Sequence, residues 1–180
     1  MRTFQFTWRF PATPLETFDV TTRDFEGLEK YIPNIATIRV LEHELLEHGR
    51  VRWLLRFSGE GAVPTVARPI IKPDMVRWDE ELLCDRSGPS VAWSLDSRYF
   101  TEYFHCRGVT RFYDADGGAT RIELNGQLNI TMKSLPGFPD PLVQRAVGVE
   151  EPFLVKVAEV NLTKFYEACR RRLRDQRRGQ

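Results

Sequence analysis

The stretch VGVEEPFLVKVAEVNLTKFYEACRRRL, Val147–Leu173, decides the fold of this chain. At the helical period its apolar side chains fall on one side, which predicts a long amphipathic helix, from about Leu142 to Leu173, that packs against a core. Two polar residues, Glu150 and Asn161, lie within that apolar side, and burying either without a partner would cost about 1–3 kcal/mol. Whatever this helix faces must accommodate both groups. The apolar side consists of Val143, Val147, Leu154, Val157, Phe165 and Ala168.

Upstream of this helix the hydrophobic period changes to two, which is typical of strands with one buried face. The N-terminal segment 3–10 alternates aromatic and polar residues, and several further alternating segments come after Pro33. Hairpin signals join these segments, so the predicted sheet is antiparallel and has six or seven strands. Its apolar face needs a cover, and the final helix is the only long apolar element available. The hairpin signals are EHGR (47–50), RSGP (86–89) and ADGGA (115–119).

Between the first strand and the rest of the sheet the sequence predicts two short helices. Thr13, Pro14 and Glu16 form a capping box with proline at the first helical position, so one helix should run from about Pro14 to Val20. A second is expected near Asp24–Tyr31, ending before Pro33. Pro152 should kink or interrupt the final helix. The predicted fold class is therefore α+β.

Composition and charge exclude few functions. The chain has 180 residues and a formal net charge of +1, which fits one domain, residues 1–173, and gives no global attraction to nucleic acid. Its three cysteines, an odd number without metal-ligand spacing, favour a reducing, cytoplasmic location. Residues 174–180 form a basic tail, which either complements the helix dipole or makes transient contact with an anionic membrane.

The element order and the opening FPATPLETFDVTTRDFEGLEKYIPNI (10–35) resemble the SRPBCC superfamily, also called START-like, over Phe4 to about Leu173. From the segment PTVARPIIKPDMVRWDEELL (64–83) onward, the layout is most similar to uncharacterised bacterial START-like proteins and, distantly, to PRELI-type lipid carriers. The resemblance implies a helix-grip fold, in which a curved antiparallel sheet wraps around the C-terminal helix. It also implies a lipid, sterol or polyketide-like ligand between sheet and helix. Glu150 and Asn161 would then face a cavity.

Alternation places three tryptophans and two phenylalanines on the inner face, where they either line a pocket or simply fill the space. Glu80 shares that alternation with Trp78 and Leu82. It either orients a ligand hydroxyl or amine, pairs with an arginine, or is turned outward by strand twist. The predicted ligand-binding residues are Trp53, Trp78, Glu80, Trp93, Phe104, Leu124, Glu150, Val157 and Asn161.

Three functions are compatible with these patterns. The leading one is binding or transport of a hydrophobic small molecule, without cofactor, metal or catalytic residue. The alternatives are an aromatase/cyclase-type enzyme, in which Glu80, Glu150 or a pocket tyrosine would do acid–base work, and a protein-interaction module with a packed interior. Binding is favoured over catalysis because inward titratable groups are few and His43, His48 and His105 fit no metal or catalytic spacing. The oligomeric state is left open.

Overall fold

A computed structural model describes residues 1–59, 72, 75–99, 102–131, 133–134 and 139–178, of which 146–151 are described by backbone alone. These residues form the predicted α+β architecture, a seven-stranded antiparallel sheet with a long C-terminal helix. The strands are β1 (Arg2–Phe10), β2 (Ile35–Leu45), β3 (Val51–Gly59), β4 (Arg77–Asp85), β5 (Ser90–Ser97), β6 (Phe104–Ala115) and β7 (Ala119–Ile130). The helices are α1 (Pro14–Thr21) and α2 (Asp140–Arg178), with short 3-10 turns at Glu29–Tyr31 and Glu47–Gly49.

The strand order in the sheet is β1-β7-β6-β5-β4-β3-β2. Each strand from β2 to β6 pairs with its successor in the chain, and every neighbouring pair is antiparallel. The consecutive strands β1 and β2 lie at opposite edges, so α1 and the 3-10 turn at Glu29–Tyr31 carry the chain from one edge to the other. The helix-grip fold predicted from the sequence is confirmed.

The segment that crosses between the edges closes one end of the interior. Helix α1 starts at the predicted capping box, with both Thr13–Glu16 bonds present. The Thr17 hydroxyl donates to Thr120 Oγ1 at 3.0 Å in a fully buried contact with β7. Phe18 meets Phe112 edge to face, with ring centroids 5.8 Å apart. Helix α1 therefore packs on β6 and β7 as a solid plug.

The second short helix is shorter than predicted. Asp24 and Gly27 have left-handed φ angles of 53° and 82°, which interrupt an α-helix. Only the last three residues of the predicted segment, Glu29–Tyr31, form a 3-10 turn. The left-handed conformation of Asp24 could not be predicted from the sequence. A glycine such as Gly27 adopts that conformation without steric cost.

Helix α2 begins at Asp140, close to its predicted start, extends beyond the predicted end at Leu173 and is continuous over 39 residues. The helix continues through Pro152 without the predicted break, and a kink at this proline stays a prediction. It also continues into the basic tail as far as Arg178, and Arg177 Nη2 lies 3.0 Å from a carboxylate oxygen of Glu16 on α1. None of the described helices combines the length and the apolar character that a bilayer crossing requires.

The C-terminal half of α2 is fastened to β1 by aromatic and polar contacts. The Trp8 indole N–H donates to Thr163 Oγ1 at 3.1 Å, and the Trp8 and Tyr166 rings lie 4.9 Å apart. Farther along, the guanidinium of Arg170 donates to the Arg9 carbonyl oxygen at 2.9 Å. Residue numbers rise together in both elements, so α2 runs in the same direction as β1.

A second arginine ties α2 to the segment after α1. Arg172 donates to the carbonyl oxygens of Arg23 and Asp24 at 3.2 and 2.9 Å. Arginines near the end of a helix also complement its negative C-terminal dipole. The cluster of arginines that closes the sequence therefore has a structural role at the closed end of the molecule.

Two glycines on adjacent strands allow aromatic rings to lie against the sheet. Phe4, Gly126, Gly108 and Trp93 stand side by side on β1, β7, β6 and β5. A Cβ atom at Gly108 would overlap the Asn125 carbonyl oxygen and the Trp93 ring, and one at Gly126 would overlap the Phe4 ring. The Phe4 and Trp93 centroids are 6.4 Å apart, so the two rings meet above the glycines.

This arrangement predicts different losses of stability when Gly108 and Gly126 are each replaced by alanine. Gly108→Ala should destabilise the protein by about 2–3 kcal/mol because a backbone oxygen cannot move aside. Gly126→Ala should cost less, about 1 kcal/mol, because the Phe4 ring can rotate away. Gly88→Ala, where the new methyl group meets nothing within 4 Å, is the matched control. Urea unfolding measures all three, and equal losses at Gly108 and Gly88 would contradict the close packing.

Candidate functional site

The inward side chains are fully buried at the α1 end of the sheet, whereas the other end combines half-buried side chains with buried ones such as Ile38, Leu128 and Val143. Beyond the α1 plug, α2 approaches β1, β7 and the Glu29–Tyr31 turn most closely among the described elements. The fully buried set is Phe10, Phe18, Cys84, Val91, Phe112, Ile122, Ala168 and Cys169. The half-buried set is Phe57, Trp78, Glu80, Leu95, Phe104 and Cys106 on the strands and Leu154, Val157 and Ala158 on α2.

Glu80 lies in the middle of the half-buried region. The register of β4 sets it opposite Leu55 of β3 and Leu95 of β5, with Trp78 and Leu82 before and after it on the same face. Facing pairs on a sheet have Cβ atoms about 4.5–5.5 Å apart and diagonal neighbours lie about 7–8 Å away. The diagonal neighbours of Glu80 are Trp53, Phe57, Trp93 and Ser97. Glu80 thus points inward, as the alternation predicted, into largely apolar and aromatic surroundings.

The carboxyl group of Glu80 has no ion pair or hydrogen bond with any described residue. Glu80 is half-buried, so its carboxyl lies among protein groups and keeps partial access to solvent. A half-buried carboxyl without a partner among the described residues borders space that water or a polar ligand group can occupy. Burial raises the pKa of Glu80 from 4.5 to about 7, so the acid is close to half-ionised at neutral pH.

Two titratable groups from other elements lie within electrostatic range of Glu80. Cys106 on β6 has its pKa raised to about 12, by burial first and then by the Glu80 charge. Tyr166 on α2 also has a raised pKa, through burial, Cys169 and Glu80 in that order. Both groups are therefore neutral at pH 7. Neither supplies a positive charge that would stabilise the carboxylate.

Trp78 and Trp93 flank the same region and carry unsatisfied donors. The indole N–H of each is buried without an acceptor among the described residues, a situation that costs about 1–3 kcal/mol when fully dry. Trp78 stacks on Phe57 with centroids 5.2 Å apart and parallel planes. Polar groups that have no partner in the part of the chain that the structure describes therefore cluster on β4 and β5, where a well-packed core would avoid them.

Trp53, the third predicted aromatic residue, is engaged by other protein rings. His43 of β2 stacks on it with centroids 3.8 Å apart, and Phe25 meets it edge to face at 5.4 Å. The contact with His43 was not predicted, although both residues lie on alternating segments joined by one predicted turn. Trp53 thus stands at the margin of the half-buried region, and its ligand contact stays a prediction.

The remaining predicted residues lie at different depths. Leu124 is buried, 4% exposed, within the core of β7, whereas Phe104 and Val157 are half-buried. Asn161 Oδ1 accepts a hydrogen bond of 3.2 Å from Asn34 Nδ2, in the loop before β2. The side chain of Glu150 lies outside the described residues.

A separate groove of about 980 Å³ opens on the other face of the sheet. Polar and charged side chains of β1, β4, β5, β6 and β7 line most of it, including Arg107, Arg111, Asn125 and Gln127. Of the described residues predicted to line an internal pocket, Trp93 alone borders it. Because this groove is open to solvent and contains no inward titratable group, the interior around Glu80 is the stronger candidate site.

No protein-family model and no curated protein sequence matches the chain. Solved structures share its fold at low identity. The Zhui aromatase/cyclase from Streptomyces sp. R1128 has a TM-score of 0.70 at 15% identity, covering 96% of this chain and 95% of that one. A protein from Thermus thermophilus has a TM-score of 0.64 at 18% identity, covering 97% and 99%. Norcoclaurine synthase from Thalictrum flavum has a TM-score of 0.58 at 12% identity, covering 96% and 86%. This likeness shows the helix-grip fold.

The inward carboxyl of Glu80 should make stability fall as pH rises. Its pKa is higher in the folded protein than in the unfolded chain, so the penalty starts near pH 4.5 and is complete above about pH 7. Glu80→Gln removes the charge and keeps the shape. The free-energy advantage of this variant over the wild type should therefore grow by about 2 kcal/mol between about pH 5 and about pH 8.

Glu81→Gln is the control, because Glu81 is the next residue of β4 and points to the outer face, where it pairs with Arg52. Losing that exposed ion pair should change stability by about 0–1 kcal/mol at both pH values. Urea unfolding at the two pH values gives the comparison. A Glu80→Gln advantage that does not depend on pH would show that burial does not raise the pKa of this carboxyl.

Proposed function

We propose that the protein binds a hydrophobic small molecule between the sheet and α2, with a polar group of the ligand against Glu80. The observation that carries this proposal is the Glu80 carboxyl itself, which points inward, is half-buried and has no partner among the described residues. Small-molecule sites are typically apolar concavities with a few well-placed polar groups, and the surroundings of Glu80 fit that description.

The contrast between the two ends of the interior supports binding over a packed interior. At the α1 end the core excludes solvent, with Ile122 and Cys169 at 0% exposure. The same sheet and helix leave Trp78, Leu95 and Val157 half-exposed at the other end. Polar groups that break the packing rules without compensation are most often found at functional sites. A lipid, a sterol or a polyketide-like molecule fits the proposed space in character.

A specific observation favours a second candidate, an enzyme of the aromatase/cyclase kind. A carboxyl with a pKa of about 7 is suited to both giving and taking a proton at neutral pH. Tyr166 lies within electrostatic range of it and could donate a hydrogen bond to a carbonyl oxygen of a substrate. Turnover of a bound polyketide-like substrate that Glu80→Gln abolishes would establish this function.

Contact of the basic tail with an anionic membrane and a cytoplasmic location stay predictions.

Filling the proposed space should block binding. Val157→Trp adds a large ring on the half-buried side of α2, and we expect it to weaken binding of the neutral fluorescent probe N-phenylnaphthylamine at least about tenfold, because ring and probe compete for one volume. The probe's fluorescence enhancement on titration gives the affinity.

Val160→Trp is the matched control, since Val160 is an exposed residue, 38%, of the same helix. It should bind the probe as the wild type does. If the wild type itself fails to bind the probe, the interior is packed and an interaction module becomes the better account. If both variants bind like the wild type, the probe occupies another part of the molecule.

A further inference from the structure

The lack of a cation among the described residues near Glu80 identifies the kind of polar group that the ligand carries. We infer that the ligand is a cationic amphiphile, an apolar or aromatic body bearing a protonated amine that pairs with the Glu80 carboxylate. This inference rests on the proposed function, because it concerns the ligand of the same interior site.

The three consecutive carboxylates of β4 show the asymmetry. Asp79 and Glu81 point to the outer face, and Asp79 is bound by Arg56 at 2.7 and 2.9 Å while Glu81 is bound by Arg52. Glu80, between them, points inward and has no arginine or lysine partner among the described residues. The described residues of the sheet therefore neutralise its outer carboxylates and leave the inner one without a counter-charge.

The groups that face Glu80 reinforce this conclusion. Its neighbours on the sheet are apolar, aromatic or hydroxyl side chains, and Cys106 and Tyr166 are neutral at pH 7. An isolated carboxylate in such surroundings is strongly destabilised unless a cation joins it.

The chemistry discriminates among head groups. An ammonium can donate a charge-assisted hydrogen bond to the carboxylate, which is shorter and stronger than the bond from a neutral alcohol. A ligand carboxylate would repel Glu80, and a plain hydrocarbon would leave it unpaired. A bound ammonium also favours ionised Glu80 and so lowers the pKa of that carboxyl. Amine binding should therefore strengthen as pH rises through 7, while the amine, with a pKa near about 10, stays protonated.

The test is displacement of N-phenylnaphthylamine by decylamine, decanol and decanoic acid, which share one chain and differ in the head group. At about pH 8 the wild type should bind decylamine about tenfold or more tightly than decanol, the scale of one charge-assisted hydrogen bond in an interior site, and decanoic acid least tightly. Glu80→Gln should remove the advantage of decylamine and keep the affinity for decanol. Glu81→Gln, which changes the adjacent outward carboxylate, should behave as the wild type.

The outcomes distinguish the amine inference from the proposed function, which is ligand binding in the interior. If the wild type binds the probe but prefers decanol or decanoic acid, or if Glu80→Gln leaves the preference for decylamine intact, the amine inference is wrong and interior binding stands. If neither the probe nor any of the three compounds binds, the proposed function itself fails. Should Glu80→Gln not fold, the wild type decides alone. Its decylamine affinity should rise about tenfold from about pH 5 to about pH 8, and an unchanged affinity would overturn the inference.

Discussion

Everything inside the protein depends on the anchoring of α2 at one end. Trp8 holds Thr163 and Tyr166, and the guanidinium groups of Arg170 and Arg172 bind backbone carbonyl oxygens of β1 and of the segment after α1. These contacts lie beside the α1 plug, where the core is closely packed. At the other end of the sheet, Trp78, Leu95 and Phe104 are only half-buried. The anchored end therefore supplies the closely packed core of the domain.

Glu80 shows the free-energy cost of placing a carboxyl on the inner face of the sheet. In a packed core this carboxyl would be replaced by an apolar residue or paired with an arginine, as Asp79 and Glu81 are on the outer face. The free-energy cost of raising its pKa to about 7 is up to about 3 kcal/mol, a substantial part of the stability of a typical domain. A bound ligand that supplied a partner for this carboxyl would offset that cost.

Local signals in the sequence were sufficient for most of the fold. Alternation in 3–10 and the later hairpin signals predicted the antiparallel sheet, and Thr13 with Glu16 predicted the start of α1, since both depend on neighbouring residues only. The left-handed conformation of Asp24 was not readable, because an aspartate in that state looks like any helix-compatible residue. The alignment of Gly108 with Gly126 also depends on strand register, which the turns alone did not specify.

The sequence predicted which way the Glu80 side chain points, but it did not predict which residues contact the side chains of the candidate site. Alternation correctly placed Glu80 on the inner face. Whether an arginine reached it depended on three-dimensional packing, so the sequence left such a pair open. Asn161 illustrates the same limit, because its hydrogen bond to Asn34 joins residues 127 positions apart.

The most direct test of this account is a carbon-13 NMR titration of the Glu80 side-chain carboxyl, assigned by its loss in Glu80→Gln. An inward carboxyl without a partner among the described residues should titrate with a pKa of about 7 in the ligand-free protein. A value at or below the ordinary 4.5 would contradict the account, because it would show that solvent or a protein cation already stabilises the charge.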